Sequence, residues 1–160
     1  MITYIRGNIF DSKAQAIVNA INCVGVMGAG LAAQFAELFP VMYAQYKINC
    51  TLAHVRMGET DWHVRTPGTY IVNFPTMQFP GQRAYMYNII GGLHHMHVAC
   101  TLLKVKSIAI PAIGCGIGRL EWDNVLAAIN TEFADDDDID VHVYPPLRRN
   151  SDDESIRSTR

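Results

Sequence analysis

Two clusters of glycine constrain this chain more than any other feature. The first, Gly25-Val26-Met27-Gly28-Ala29-Gly30, follows the β-branched run Ala16 to Asn19. It precedes Leu31, Phe35, Leu38 and Phe39, whose spacing marks one apolar helix face. The second, Gly114, Gly116 and Gly118, follows the apolar run Ser107 to Ile110. It precedes Trp122, Val125, Leu126, Ile129 and Phe133, again at helical spacing. Strand, glycine loop, helix therefore occurs twice. In an open α/β sheet this order puts both loops at the carboxyl ends of strands, where ligands bind. A helix N-terminus there offers free N–H groups and a positive dipole end to an anion. Glycine lets the backbone come close to it. One such loop alone would read as a tight turn between strand and helix. Two in equivalent positions favour a pair that grips both halves of a pyrophosphate.

The rest of the chain fits one α/β domain. Ile2 to Ile5 reads as a first strand, broken at Gly7-Asn8. After Pro40, Val41 to Leu52 reads as a helix with Met42, Tyr46 and Cys50 on one side. Thr69 to Phe74 reads as a strand ending at Pro75, followed by loop as far as Arg83. Ala84 to Val105 carries Ile89, Leu93, Met96, Cys100 and Leu103 at helical spacing, and Val141 to Tyr144 reads as a last strand. Strands alternating with helices predict a mixed, largely parallel sheet. The expected domain is 1–147, followed by a polar tail at 148–160 in which Asn150 to Arg160 is expected to be disordered.

Composition closes off several function classes. The chain has 160 residues and a net charge of -2, so no global basic field draws it to nucleic acid. No apolar run is long enough to cross a bilayer, and Met1 to Arg6 lacks the apolar core of a signal peptide. Cys23, Cys50, Cys100 and Cys115 are widely spaced and read as reduced, buried thiols, which fits a cytoplasmic protein. Neither glycine loop ends in the Lys-Ser or Lys-Thr of a P-loop, and the first is not G-x-G-x-x-G. A Rossmann reading also lacks its acidic ribose partner roughly 20 residues on. A generic α/β module for another dinucleotide stays open.

Several ordered motifs between Gly7 and Trp122 resemble the macrodomain family. They are Gly7-Asn8-Ile9, then Ile17-Val18-Asn19-Ala20-Ile21-Asn22 running into Gly25 to Gly30, and Ile110-Pro111-Ala112-Ile113-Gly114-Cys115-Gly116-Ile117-Gly118. Asn73-Phe74-Pro75-Thr76 and Leu120-Glu121-Trp122 are similar to the branch of bacterial DNA ADP-ribosyl glycohydrolase antitoxins and the human terminal ADP-ribose glycohydrolase. Small ADP-ribose 1″-phosphate phosphatases share the outline. The resemblance implies a three-layer α/β/α fold and ADP-ribose, free or attached to a substrate, as the ligand. Nucleic acid is a partner only if it carries ADP-ribose, and no membrane, cofactor or metal is implied. It places Gly7, Asn8 and Ile9 near the adenine, with Tyr144 closing that end. Asn22 would contact hydroxyls of the distal ribose and serve as the catalytic-site residue; its alternative is a turn-forming asparagine. Gly28, Ala29, Gly30 and Leu31, with Cys115, Gly116, Ile117 and Gly118, would wrap the phosphates and distal ribose. Asn19, Gly25, Val26, Met27, Thr76 and Gly114 would complete the ligand-binding set, and Phe74 and Phe79 flank the loop that would face the distal ribose.

Two departures bear on catalysis. The glycohydrolase branch carries a lysine after Asn-Phe-Pro-Thr, where this chain has Met77, and a thioether is neither nucleophile nor base. The human enzyme carries an acid in its second glycine loop, where this chain has Gly118. Three readings follow: a hydrolase of another kind, first of all an ADP-ribose 1″-phosphate phosphatase; a silent ADP-ribose reader; or a glycohydrolase with a substitute base such as Arg83 or His94. His94 and His97 lie at i, i+3, a spacing open to a metal, but the bland reading is a polar helix flank. Asp135 to Asp138 lacks calcium-loop spacing and reads as a solvated turn.

Overall fold

The computed structural model describes residues 1–147, and the expected polar tail lies outside the described residues. In chain order the elements are β1 (Ile2–Tyr4), β2 (Ala16–Asn22), α1 (Gly30–Leu38), α2 (Pro40–Thr51), β3 (Asp61–Thr66), β4 (Thr69–Met77), α3 (Met86–Leu103), β5 (Ser107–Ile110), α4 (Trp122–Glu132) and β6 (Asp140–Val143). A short 3-10 turn, Ile9–Asp11, follows β1. The strands form one sheet in the order β1-β6-β5-β2-β4-β3. Every neighbour pair is parallel except β3 with β4.

Alternation along the strands builds the two cores. Ala16, Val18, Val72, Phe74, Ile108 and Ile110 point to one face, where Ile89, Leu93 and Met96 of α3 and Val125 and Ile129 of α4 cover them. Ile17, Ile21, Ile71 and Ala109 point to the other, where Phe35 of α1 and Met42 and Tyr46 of α2 cover them. The result is the expected three-layer α/β/α arrangement. Helix α3 lies very close to the sheet at Gly92, where a Cβ would stand 2.4 Å from the Phe74 ring. Phe74 is therefore fully buried core and does not flank a ligand, contrary to the expectation from its loop-like surroundings.

Two elements differ from the sequence reading. Strand β3 is absent from the sequence reading, although Asp61, His63 and Arg65 alternate with Trp62 and Val64 in the period of a half-buried strand. It is an edge strand, half-buried at most, and its charged residues keep that edge from pairing further. A second signal is Pro67-Gly68 before Thr69, a turn dipeptide that closes the β3–β4 hairpin with Gly68 at φ 79. Strand β4 also runs through Pro75 to Met77. Strand β3 pairs with β4 only as far as Asn73, so the missing proline N–H leaves no ladder broken on that side.

The sheet opens where the site lies. Strands β2 and β4 share seven paired positions, but β2 and β5 share only Ala16↔Ile108 and Ile17↔Ala109. Beyond them β2 continues to Asn22 while β5 ends at Ile110. The chain leaves β2 toward β4 on one side and leaves β5 toward β6 on the other. This is a topological switch point, and the crevice lies at its carboxyl edge.

Candidate ligand-binding site

A cavity of about 460 Å³ fills that crevice, within the usual range for small-molecule sites. Three parallel strand ends supply its floor: Ala20 to Asn22 of β2, Thr76 and Met77 of β4, and Pro111 and Ala112 after β5. Val26, Gly28, Ala29, Gly30, Leu31 and Ala32 form one wall; Gly114, Gly116 and Ile117 form the facing one; Pro80 and Gly81 close the end beside Met77. Among the described residues, Asn22 and Thr76 are the only polar side chains in this lining, and it holds no acid, base, thiol or phenol.

The polarity of the cavity therefore comes mainly from backbone. Helix α1 begins at Gly30, and its N-cap residue Ala29 supplies no side-chain cap, so its first N–H groups lack a capping partner. Among the described residues, the N–H groups of Gly28, Gly30, Leu31, Gly116 and Ile117 have no hydrogen-bond acceptor. Unpaired donors on two loops that wall the same cavity suit a doubly anionic group.

The first loop is held by side chains. Asn22 Oδ1 accepts from Val24 N at 3.1 Å and Val26 N at 3.4 Å, while Nδ2 donates to the Val26 carbonyl at 2.7 Å. The Tyr46 hydroxyl, fully buried on α2, reaches both the Asn22 carbonyl at 2.8 Å and Oδ1 at 2.9 Å. Burial first, then the neighbouring Cys50 thiol, push this hydroxyl well above its ordinary value of 10, so it is a neutral donor at physiological pH. Asn22 thus organises the turn and also lines the cavity.

The second loop is held by close packing. Gly114 has φ 72, and a Cβ there would stand 2.8 Å from Leu120. At Gly118 a Cβ would stand 2.7 Å from both the Ala84 Cβ and the Gly114 carbonyl oxygen. The Gly118 carbonyl accepts from Ala84 N at 3.0 Å.

Of the residues singled out in the sequence, Asn22, Val26, Gly28, Ala29, Gly30, Leu31, Thr76, Gly114, Gly116 and Ile117 come together around the cavity. Others sit behind it. Asn19 is buried and donates to Asn73 Oδ1 at 3.1 Å, while Met27 packs beneath the loop with its sulfur 3.7 Å from Asn19 Nδ2. Gly25, at φ 83, packs over Lys47 and Cys50. Gly118 is a packing residue, and Cys115 turns its sulfur toward the Ile113 carbonyl. Gly7, Asn8 and Ile9 do not line this cavity; Asn8 caps the 3-10 turn by accepting from Phe10 N at 3.0 Å, and Ile9 is core. Arg83 is exposed away from the lining, and His94 faces Glu132 on α4 at 3.2 Å, so neither stands as a substitute base. The second-core tyrosine, Tyr46, was read only as an apolar helix position.

The thiols are unreactive by the same physical reasoning. Burial, then a neighbouring thiol or carboxylate, raises Cys23 and Cys115 to about 11 and Cys100 to about 12. Among the described residues no group of three or more ligating side chains is arranged to hold a metal ion.

The Macro domain family profile matches residues 18–129, which span both glycine loops. The chain belongs to the macrodomain family. Among curated relatives it is 35% identical over 152 residues to a DNA ADP-ribosyl glycohydrolase of Mycobacterium tuberculosis, covering 91% of this chain and 42% of that protein. The chain thus spans less than half the length of this relative. Among solved structures, the macrodomain of Mycobacterium tuberculosis DarG superimposes with a TM-score of 0.89 at 33% identity, over 92% of this macrodomain and 99% of that chain. Thermosipho africanus DarTG in complex with ADP-ribose superimposes with a TM-score of 0.86 at 27% identity, over 97% of this macrodomain and 44% of that chain.

Proposed function

We propose that this macrodomain binds ADP-ribose in the crevice between its two glycine loops. Its hydrolytic chemistry is confined to derivatives that need no side-chain acid or base, ADP-ribose 1″-phosphate first among them. The observation that carries this reading is the cavity wall: unpaired backbone N–H groups on two facing loops, and no ionisable side chain. Such a wall suits a pyrophosphate and stabilises developing negative charge through preorganised donors. The ADP-ribose held by the Thermosipho africanus relative supports the choice of ligand.

Met77 divides the candidate reactions. Releasing a nucleobase or an amino-acid side chain from the distal ribose requires a proton for the leaving group or a nucleophile at C1″. The thioether of Met77 supplies neither. Hydrolysis of the 1″-phosphate adds water to phosphorus, and the 1″ oxygen departs with a proton drawn from that water, giving ADP-ribose and inorganic phosphate. Charge then develops on oxygens that backbone donors can reach. Incubation with ADP-ribose 1″-phosphate should release phosphate above a buffer control, and Asn22→Ala should reduce that release at least tenfold, an estimate from the loss of one charge-stabilising contact.

The absence of any ionisable side chain from the wall also favours a second reading, a reader that holds ADP-ribose without turnover. Tight calorimetric binding of ADP-ribose with no phosphate release would select it. The DNA ADP-ribosyl glycohydrolase activity named for the Mycobacterium relative defines a third outcome. Wild-type removal of ADP-ribose from modified DNA would overturn the importance assigned to Met77. Activity appearing only in Met77→Lys would support it.

A further inference from the structure

We propose that Tyr46 is a positioning residue for the ligand: its hydroxyl holds in place the Asn22 amide, which the loop backbone orients so that its NH2 group, and not its oxygen, is presented to the cavity. The inference rests on the reading that ADP-ribose occupies this cavity with its distal ribose at Asn22.

The hydrogen-bond inventory of Asn22 carries the argument. A carboxamide oxygen has two lone pairs, and an amide nitrogen has two hydrogens. Three donors converge on Asn22 Oδ1: Tyr46 Oη, Val24 N and Val26 N. No acceptor capacity remains there for a ligand. Nδ2 spends one hydrogen on the Val26 carbonyl and keeps the other. A flipped amide would set Nδ2 against two backbone N–H groups and Oδ1 against a carbonyl. The residue is thereby fixed as a donor, so the ligand atom that meets it must be an acceptor, such as a ribose hydroxyl oxygen.

Tyr46 does more than join two groups. Its contact with the Asn22 main-chain oxygen falls where the β2–β4 register shifts between Ile21 and Asn22. Such irregularities re-aim a side chain at a strand end. The single hydrogen of the Tyr46 hydroxyl is shared between the two Asn22 oxygens, and its only route to the ligand is through Asn22. Its effect must then be larger on the part of the ligand that Asn22 touches than on the phosphates held by the loop that Asn22 organises.

ADP, which lacks the distal ribose, isolates that part. Calorimetry on the intact protein with ADP and with ADP-ribose compares them directly. Tyr46→Phe keeps the ring and removes only the hydroxyl. It should weaken ADP-ribose binding roughly three- to tenfold, the range for one hydrogen bond, and weaken ADP binding less. In an Asn22→Ala background the same substitution should have a smaller effect, since only its main-chain contact remains. Asn22→Asp supplies a second line that does not depend on Tyr46→Phe folding well: it retains an acceptor for Tyr46 but loses the donor, and should weaken ADP-ribose binding as much as Asn22→Ala. Equal losses for ADP and ADP-ribose in Tyr46→Phe, no loss at all, or full ADP-ribose affinity in Asn22→Asp would each overturn the proposal. A wild-type protein that binds ADP-ribose no better than ADP would instead remove the functional reading beneath it, and this inference with it.

Discussion

The two glycine loops face the same cavity, but they are built in opposite ways. The first is tied down by side chains that reach into it: Asn22 clamps Val24 and Val26, and Tyr46 clamps Asn22. Its glycines at 28 and 30 have room around them, since a Cβ at Gly30 would meet nothing within 4 Å. The second is fixed by what its glycines lack. Gly114 and Gly118 are pressed against Leu120, Ala84 and each other, and only Gly116 is open. A loop held by hydrogen bonds can be tuned by changing a partner. A loop held by absent side chains tolerates no addition at its packed positions.

The largest effect expected from this contrast is at Gly118. Placing the acid of the human enzyme here, Gly118→Asp, drives a Cβ into Ala84 and the Gly114 carbonyl and buries a carboxylate with no partner. Overpacking and charge burial together should cost about 3 kcal/mol or more. A urea denaturation midpoint, read with unchanged slope, measures it. A stable Gly118→Asp protein would show that the second loop can shift, and would break the contrast. The result bears on function, because it means the acidic residue of that branch cannot return by one substitution. Gly114→Ala should follow at about 2 kcal/mol, combining a positive φ with the 2.8 Å approach of Leu120. Gly30→Ala, with φ 58 and open space, carries the backbone term alone and should cost about 1 kcal/mol.

This difference between the loops marks the limit of what the residues alone could reveal. The glycine clusters, the buried runs before them and the apolar stripes after them placed both loops at strand ends, because periodicity and glycine chemistry act locally. The ten expected residues that gather around the cavity follow from that placement. What holds each loop is set by residues distant in the chain. Tyr46 reaches Asn22 from 24 positions away, and Ala84 meets Gly118 from the start of the segment leading into α3. A tyrosine on an apolar helix face looks like any core residue until the packing shows where its hydroxyl ends. Phe74 failed for the converse reason: it sits next to Pro75 and Thr76, but strand alternation turns it to the α3 face. Met77 required no structure to be noticed, and its place in the cavity lining makes the substitution chemically relevant.

Gly116 allows stability and binding to be separated. It has no positive φ and no neighbour within 4 Å, yet it lines the cavity. Gly116→Val should leave thermal stability within about 0.5 kcal/mol of wild type, as expected for an unpacked position. It should weaken ADP-ribose binding about tenfold or more, because a branched side chain keeps the ligand off the backbone donors. Loss of both would mean that the second loop is packed throughout, and the contrast would then be one of degree.

The smallest effect comes from the far ends of α3 and α4, away from either loop, and serves as a control for both. His97 faces Glu132 Oε1 through Nδ1 at 2.9 Å and Asp136 Oδ2 through Nε2 at 2.7 Å. Both ring nitrogens can donate only in the imidazolium, so the geometry itself favours the charged form. Burial pulls this histidine down, but the hydrogen bonds to Asp136 and Glu132 outweigh it, and the net displacement is above the ordinary 6.5. Its stabilising contribution is therefore complete below pH 6.5 and is lost as pH rises through the raised value. Asp136 is displaced below its ordinary 3.8, chiefly by its hydrogen bond to His97, so its contribution is present above 3.8 and is lost as pH falls through the lowered value. Stability should accordingly be highest between these limits and decline on raising pH from 6 to 8. His97→Gln should flatten that decline while leaving ADP-ribose affinity unchanged. If affinity followed the same pH profile in wild type but not in His97→Gln, the far end would be coupled to the cavity. The loops could then no longer be understood from their own contacts.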